Sequence, residues 1–336
     1  MHNVTLIKGD GIGPSIMDAA VAVINASGAK IHWHEADAGM SAYERTGTPL
    51  PDATMESIAQ TRVAFKGPLT TMVGEGFRSI NVELRKQYDL YANVRPAKSW
   101  KGVKTRYDDV DIVIVRENTE GLYVGLEHYL TPAKDIAESL AVVTKAGSER
   151  IVEYAFKYAI DNNRKKVTVC HKANILKYTQ GLFLRAAREI AAKYPDIEFD
   201  EKIVDAACMH MVMKPEQFDV VVTTNMFGDI LSDLTAGLVG GLGLIPGANI
   251  GVDAALFEAV HGSAPDIAGK NIANPTAVMM GGVMMLNHLG EHEAATRMQN
   301  AIEKVVNGGV YVTPDLNPDS KYGTKEMGQA IVDAMS

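Results

Sequence analysis

Val4-Thr5-Leu6-Ile7-Lys8-Gly9-Asp10-Gly11-Ile12-Gly13-Pro14 is a strand-like run, a glycine-rich turn and the first turn of a helix in direct succession. The apolar and β-branched residues read as a buried strand, and Pro14 suits the start of a helix over Ser15–Ala26. A strand, turn and helix of this kind begin a dinucleotide-binding Rossmann unit only when the glycines follow G-x-G-x-x-G. Counted from Gly9 the third glycine would fall at 14, and counted from Gly11 at 16. Those positions hold Pro14 and Ile16, so the fingerprint fails. The stretch argues for an α/β protein and is only weak evidence for the familiar dinucleotide fold.

The same alternation runs on. Lys30–Glu35 reads as a strand and Ala53–Gln60 as a helix. Val63–Thr71 reads as a buried strand entering a loop. Asp111–Gly121 is an apolar strand with a polar end, where ligands of open α/β sheets bind. Gly125 to Lys145 reads as irregular, with short extended pieces. Ser148–Asn162 is a helix, Lys166–Cys170 a strand, Phe183–Lys193 a helix and Phe199–Val204 a strand ending at Asp205. Asp219–Thr224 is a continuous apolar strand, followed by a helix over Gly228–Val239. Gly240–Gly247 is rich in structure breakers, and two or three helices lie in Glu258–Ser336. Strands alternating with helices predict a largely parallel sheet. No Ser/Gly-rich linker separates lobes, so a second domain is expected as an insertion.

The 336 residues exceed an average single domain and suit two lobes. Hydrophobic residues at 46% and charged residues at 22% describe an ordinary globular chain. A net charge of −8 gives no support to nucleic-acid binding. The longest apolar run, near Ala277 to Leu286, is too short for a membrane span and reads as a buried helix. Cys170 and Cys208 are the only cysteines, which favours a reducing setting. With no leader-like segment before Val4, a cytoplasmic location is expected.

Four groups of residues carry chemistry. In Arg78-Ser79-Ile80-Asn81-Val82-Glu83-Leu84-Arg85, Ser79 stands where a helix would begin, and Asn81 and Arg85 share its face four residues apart. Guanidinium forks and a helix N-terminus suit a polycarboxylate, although the same pattern also describes a capped helix with a solvated basic face. Asp229 and Asp233, at i and i+4, suit Mg²⁺ or Mn²⁺ together with Asp205 at the end of a neighbouring strand. Alone, such a pair is more often solvated. Lys172 and Tyr123 are candidate proton donors on polar strand ends, or else a surface ammonium and a packed ring. His171, His210 and His261 lack metal-ligand spacing, and neither cysteine lies in a nucleophile signature.

Together, Lys8–Pro14, Gly67–Thr71, Arg78–Arg85, Ala92–Pro96, Arg116–Tyr123, His171–Asn174, Asn225–Asp233 and His261–Thr276 resemble the β-decarboxylating dehydrogenases, which act on isocitrate, isopropylmalate, homoisocitrate and tartrate. The resemblance runs in order through nearly the whole chain. It implies a two-lobed α/β fold of the isocitrate/isopropylmalate dehydrogenase type, with a mixed central sheet and no Rossmann unit. Residues 1–90 and 240–336 would form the large cofactor-binding domain. Residues 91–239 would form the small domain, carrying the dimer interface and a clasp-like arm near 124–145. A homodimer or tetramer with active sites shared between subunits follows, and neither nucleic acid nor membrane is an expected partner.

The resemblance also implies roles. Ser79 and Asn81 look like the isocitrate pattern, where isopropylmalate enzymes place apolar residues. Arg85, Arg95 and Arg116 match the arginines on the remaining carboxylates of a tricarboxylate, and Lys66 a position near the substrate. Thr71, Asn174, Glu258, His261, Gly262, Ala264, Asp266, Ile267 and Asn274 match cofactor positions. NADP-using relatives place a Lys-Tyr pair where this chain has Asp266 and Ile267, and a carboxylate there suits the ribose hydroxyls of NAD and repels a 2′-phosphate. Mg²⁺ or Mn²⁺ would sit on Asp205, Asp229 and Asp233. Lys172 with Asp205 would take the substrate hydroxyl proton, and Tyr123 with Lys172 would reprotonate the enol carbon after CO₂ leaves. Lys172 and Asp205 would come from the partner subunit. The expected activity is NAD-dependent oxidative decarboxylation of isocitrate. Homoisocitrate or isopropylmalate is the alternative substrate, and a non-catalytic regulatory subunit the alternative role. Met72 in place of a proline and Glu75 within a glycine run depart from the family pattern.

Overall fold

The computed structural model describes residues 1–70 and 79–335. The elements in chain order begin with β1 (His2–Ile7), α1 (Gly13–Ala26), β2 (Ile31–Ala36), α2 (Met40–Thr46), α3 (Asp52–Thr61), β3 (Val63–Lys66) and α4 (Ile80–Gln87). Then come β4 (Ala92–Lys98), β5 (Asp111–Glu117), β6 (Gly121–Tyr129), β7 (Ala137–Val142), α5 (Lys145–Asp161) and β8 (Lys166–His171). They are followed by α6 (Thr179–Ala191), β9 (Glu198–Ile203), α7 (Val204–Met213), β10 (Val220–Thr223) and α8 (Asn225–Val239). The last are β11 (Pro246–Ile250), β12 (Ala255–Ala259), α9 (Thr276–His288), α10 (His292–Gly308) and α11 (Thr324–Ala334).

The chain divides into two compact units. One comprises Met1–Tyr88, Ser99–Asp108 and Ala236–Ser336, the other Asp89–Lys98 and Asp109–Thr235. The return of 99–108 to the first unit has no counterpart in the boundaries expected from the sequence. In the first unit the strand order is β2-β1-β3-β12-β11, parallel except for the antiparallel pair β11/β12. In the second it is β4-β5-β10-β8-β9, parallel except for β4/β5. The fold is therefore α/β with mixed pairing, not an all-parallel doubly wound sheet.

The central strands are apolar along their whole length because both faces are covered. Val113, Ile114 and Val115 of β5 and Val220, Val221 and Val222 of β10 are all fully buried, with α5 packed against both strands. The apolar run at Ala277 to Leu286 forms the core of α9, as expected, and packs on β11 and β12. Two sequence expectations need correction. Residues 125–145 are not irregular: β6 and β7 form an antiparallel pair with a register shift between Gly121 and Leu126. The stretch after Gly240 contains β11 and β12, which the density of glycines concealed.

The glycine-rich turn after β1 serves packing. Gly11 has φ +59°, and a Cβ there would collide with the Ser263 carbonyl. Beside it, the buried Asp10 carboxylate accepts from the backbone N–H of Met40 at 3.0 Å, Ser41 at 3.1 Å and Thr70 at 2.8 Å. It ties the start of α2 and the loop after β3 to one turn. Asp10→Ala is expected to lower the unfolding free energy by about 3 kcal/mol, the scale of buried hydrogen bonds to a charge. Urea denaturation measures it, and a change below about 1 kcal/mol would show that water replaces the carboxylate.

Candidate active site

In the second unit, Arg116 ends β5 and α8 begins two residues after β10, so the guanidinium meets the first turns of that helix. Arg116 is 1% exposed. Its Nε and Nη2 donate to Asn225 Oδ1 at 2.9 and 2.7 Å, and its Nη1 pairs with the Asp229 carboxylate. A side chain at Gly228 would strike Arg116, so that glycine makes room for it. Arg95, on the neighbouring β4, donates to Ser232 Oγ at 2.6 Å and lies 3.3 Å from Asp229 and 3.9 Å from Asp233. Tyr123 donates to Asp229 Oδ2 at 2.7 Å, and its ring lies under the Arg116 guanidinium at 5.0 Å.

The electrostatics follow from these contacts. Burial, and then the hydrogen bond to Asp229, push the Tyr123 phenol up against the opposing pull of Arg116. Tyr123 therefore stays a proton donor across the neutral range. Burial also pushes the Asp233 carboxyl up, and the Asp229 charge adds to this against Arg95 and Arg116. Two carboxylates facing two guanidiniums form a polar site of hard oxygen donors, the chemistry that suits Mg²⁺ or Mn²⁺.

Lys172 and Asp205 form a second group in the same unit. Lys172 follows β8 and pairs with Asp205, whose carboxyl is held below its ordinary value first by the Lys172 hydrogen bond. Two corrections apply here. Asp205 stands in the first turn of α7, not at a strand end, and β8 separates β9 from β10. Among the described residues no three His, Cys, Asp or Glu side chains converge. One chain therefore gathers Asp229 with Asp233 but not with Asp205. Asn174 is exposed on the loop after β8.

In the first unit, α4 forms with Ser79 at its N-cap position, but the Ser79 hydroxyl makes no capping bond. Asn81 Oδ1 is buried without a hydrogen-bond partner among the described residues, and Arg85 on the same face is buried. Lys66 and Glu258 meet each other: Lys66 Nζ lies 2.7 Å from Glu258 Oε2, with both side chains nearly inaccessible. The expected roles, Lys66 beside substrate and Glu258 beside cofactor, thus begin from one shared ion pair. Thr71, Met72, Glu75 and Arg78 lie outside the described residues.

A cavity of about 280 Å³ is lined by Ile12, His261, Ala264, Ile267, Asn274 and Asp315 among others, and Gly262 also borders it. Asp266 is exposed on the short turn Pro265–Ile267. Ala264 holds φ +37°, uncommon for a residue with a side chain. Burial holds the His261 imidazole below its ordinary pKa, and its buried Nε2 lacks a partner. An apolar slot with an orphaned ring nitrogen and the Asn274 amide fits a heteroaromatic base of a nucleotide cofactor. Asn274 is fixed by donating to Asp315 at 3.0 Å and accepting from Thr276. Sequence reasoning missed Asp315, Ser232 and the anchoring role of Asn225. Only Asn225 carried a signal, a polar residue ending a buried strand.

A mixed α/β chain whose second unit holds a carboxylate–guanidinium–tyrosine cluster, and whose first unit holds a slot beside His261 and Asn274, carries acid–base and anion-binding groups. The chain belongs to the isocitrate/isopropylmalate dehydrogenase family, whose model matches residues 3–331. It is 49% identical over 318 residues to a probable isocitrate dehydrogenase [NAD] subunit alpha of Drosophila melanogaster, covering 95% of this chain and 84% of that one. It is 50% identical over 306 residues to the chloroplastic 3-isopropylmalate dehydrogenase of Solanum tuberosum, covering 91% and 85%. The crystal structure of isocitrate dehydrogenase from Methylococcus capsulatus superposes with a TM-score of 0.98 at 63% identity, covering 100% and 99%.

Proposed function

We propose that the chain catalyses the NAD-dependent oxidative decarboxylation of isocitrate to 2-oxoglutarate, assisted by Mg²⁺ or Mn²⁺. The observation that carries this is the polar face of α4, where Asn81, one turn before Arg85, presents a buried amide oxygen with no partner among the described residues. The amide can turn over and place its N–H₂ at the same point. A third carboxylate satisfies it, whereas the alkyl tail of isopropylmalate would leave it unpaired. Relatives named as NAD-dependent isocitrate dehydrogenase subunits support the same reading.

In this proposal Arg95 and Arg116 hold substrate carboxylates and fix their orientation. Asp229 and Asp233 hold the divalent metal, which when bound supplies Lewis-acid stabilisation of negative charge on the substrate oxygen. Tyr123, kept protonated by its surroundings, delivers a proton to the carbon that has lost CO₂. Lys172 and Asp205 manage the hydroxyl proton in the active site of a second copy. Exposed apolar side chains after β8, on α7 and on α8, such as Tyr178 at 92% and Met213 at 65%, support pairing through this unit. Asp266 beside the base-binding slot favours NAD over NADP.

The test is to incubate the purified chain with isocitrate, NAD and Mg²⁺ and to follow NADH, 2-oxoglutarate and CO₂ together. Equimolar formation of all three, abolished by a chelator and at least tenfold slower with NADP, is the expected result (roughly the scale of one repelled charge). A preference for NADP would remove the Asp266 argument. No turnover of any family acid by the folded chain would point to a regulatory subunit.

A further inference from the structure

We infer that Asn249 is a positioning residue for the substrate site: it fixes the Glu258 carboxylate, which in turn sets the Lys66 ammonium and balances the charge beside Arg85. This rests on the proposed function above. Asn249 lies on β11 and is 1% exposed. The antiparallel register pairs it with Leu256 on β12, which puts Glu258 diagonally across from it. The parallel register of β3 and β12 sets Lys66 directly opposite Glu258. Three strands thus converge on one carboxylate. Asn249 Nδ2 donates to Glu258 Oε1 at 2.8 Å, and Lys66 Nζ donates to Oε2 at 2.7 Å.

Each oxygen of Glu258 therefore has its own donor, and rotation of the carboxylate would break both bonds. Burial alone would push this carboxyl up. The Lys66 and Arg85 charges, with the hydrogen bonds from Lys66 and Asn249, hold it at about 2. Two buried cations against one buried anion leave a single net positive charge, which suits an incoming carboxylate. Lys66 Nζ also donates to the Gly67 carbonyl at 3.0 Å. An ammonium has three N–H groups, so among the described residues one remains for a ligand. Asn249 decides where it points, because it decides where Glu258 sits.

The groups facing Glu258 are Lys66 from β3, Arg85 from α4 and His261 from the segment after β12. Burial holds the His261 imidazole below its ordinary pKa, and a variant-to-parent ratio cancels its contribution. The test compares Asn249→Leu and Asn249→Asp with the parent, using the full chain, NAD and Mg²⁺ at about pH 6 and about pH 8. Asn249→Leu removes the donor and is expected to raise KM for isocitrate about tenfold at both pH values, with kcat within about threefold. Asn249→Asp places two carboxylates side by side, which hold one proton between them in acid and lose it as pH rises. Its KM is expected to be raised about tenfold at the higher pH and to return to within about twofold of the parent at the lower, where the protonated aspartic acid donates in place of the amide.

A KM ratio for Asn249→Asp that does not change with pH, in a protein that melts like the parent, would overturn the inference even if Asn249→Leu fails to fold. If the parent prefers another acid of the family, the isocitrate reading fails, and the same ratios measured with that acid still decide the role of Asn249. If the parent turns over none, calorimetric Kd values for isocitrate take the place of KM, and absence of binding to the parent overturns both.

Discussion

Replacing Lys172 by Met is expected to lower kcat with isocitrate, NAD and Mg²⁺ by about 10³-fold, within the range a general acid–base group supplies. The fold should survive. The Lys172–Asp205 pair is partly solvated, with the Asp205 side chain 68% exposed, and such pairs contribute little to stability. A methionine keeps the stem and removes only the ammonium. The KM for NAD should hardly move, because the substitution leaves the cavity beside His261 and Asn274 intact. A second result separates catalysis within one chain from catalysis shared between chains. Neither Lys172→Met nor Tyr123→Phe should be active alone. Mixed and re-paired, they should recover roughly a quarter of parental activity, since half of random dimers are hybrids with one intact site. Recovery fails if Lys172 and Tyr123 act in the same subunit.

Arg116→Met is expected to fail on two counts. Arg116 is almost fully buried and engages both Asn225 and Asp229. Removing it takes from Asp229 its closest guanidinium partner, and strips Asn225 Oδ1 of both guanidinium donors. Breaking a buried pair in this way should cost about 3–5 kcal/mol of stability, visible in urea titration. In the protein that still folds, KM for isocitrate should rise by about 10²-fold or more, the cost of losing one buried partner of a bound carboxylate. Loss of stability without a change in KM would make Arg116 a structural anchor of α8 and nothing more.

Much of this site was legible because chemistry collects at the polar ends of apolar strands. Arg116, Lys172 and Asn225 could be found that way, and Asp229 with Asp233 needed both their helical spacing and their place after a buried strand. What stayed hidden depends on pairing between distant strands. Lys66 and Glu258 meet only because β3 lies beside β12, and nothing local to either residue announces it. β11 was obscured by the glycines around its start, and with it Asn249, a single amide just past the breaker-rich stretch Gly240–Gly247. α7 escaped because Val204, Ala207, Met209, Met211 and Met213 spread apolar character around the helix and blur its period. Asp205 therefore looked like a strand end. The failed G-x-G-x-x-G count left the turn as weak evidence for a Rossmann unit, and the structure explains the glycines otherwise: Gly11 lets the turn press against Ser263 while Asp10 gathers three backbone donors.

The most direct test of the central claim is the ratio of kcat/KM for isocitrate to that for isopropylmalate, measured with NAD and saturating Mg²⁺. A buried polar site should reject the alkyl analogue by about 10³-fold or more, because Asn81 and its neighbours would be left unpaired. Isopropylmalate turned over within about tenfold of isocitrate would mean that the face of α4 does not read a third carboxylate, and the substrate assignment would fall.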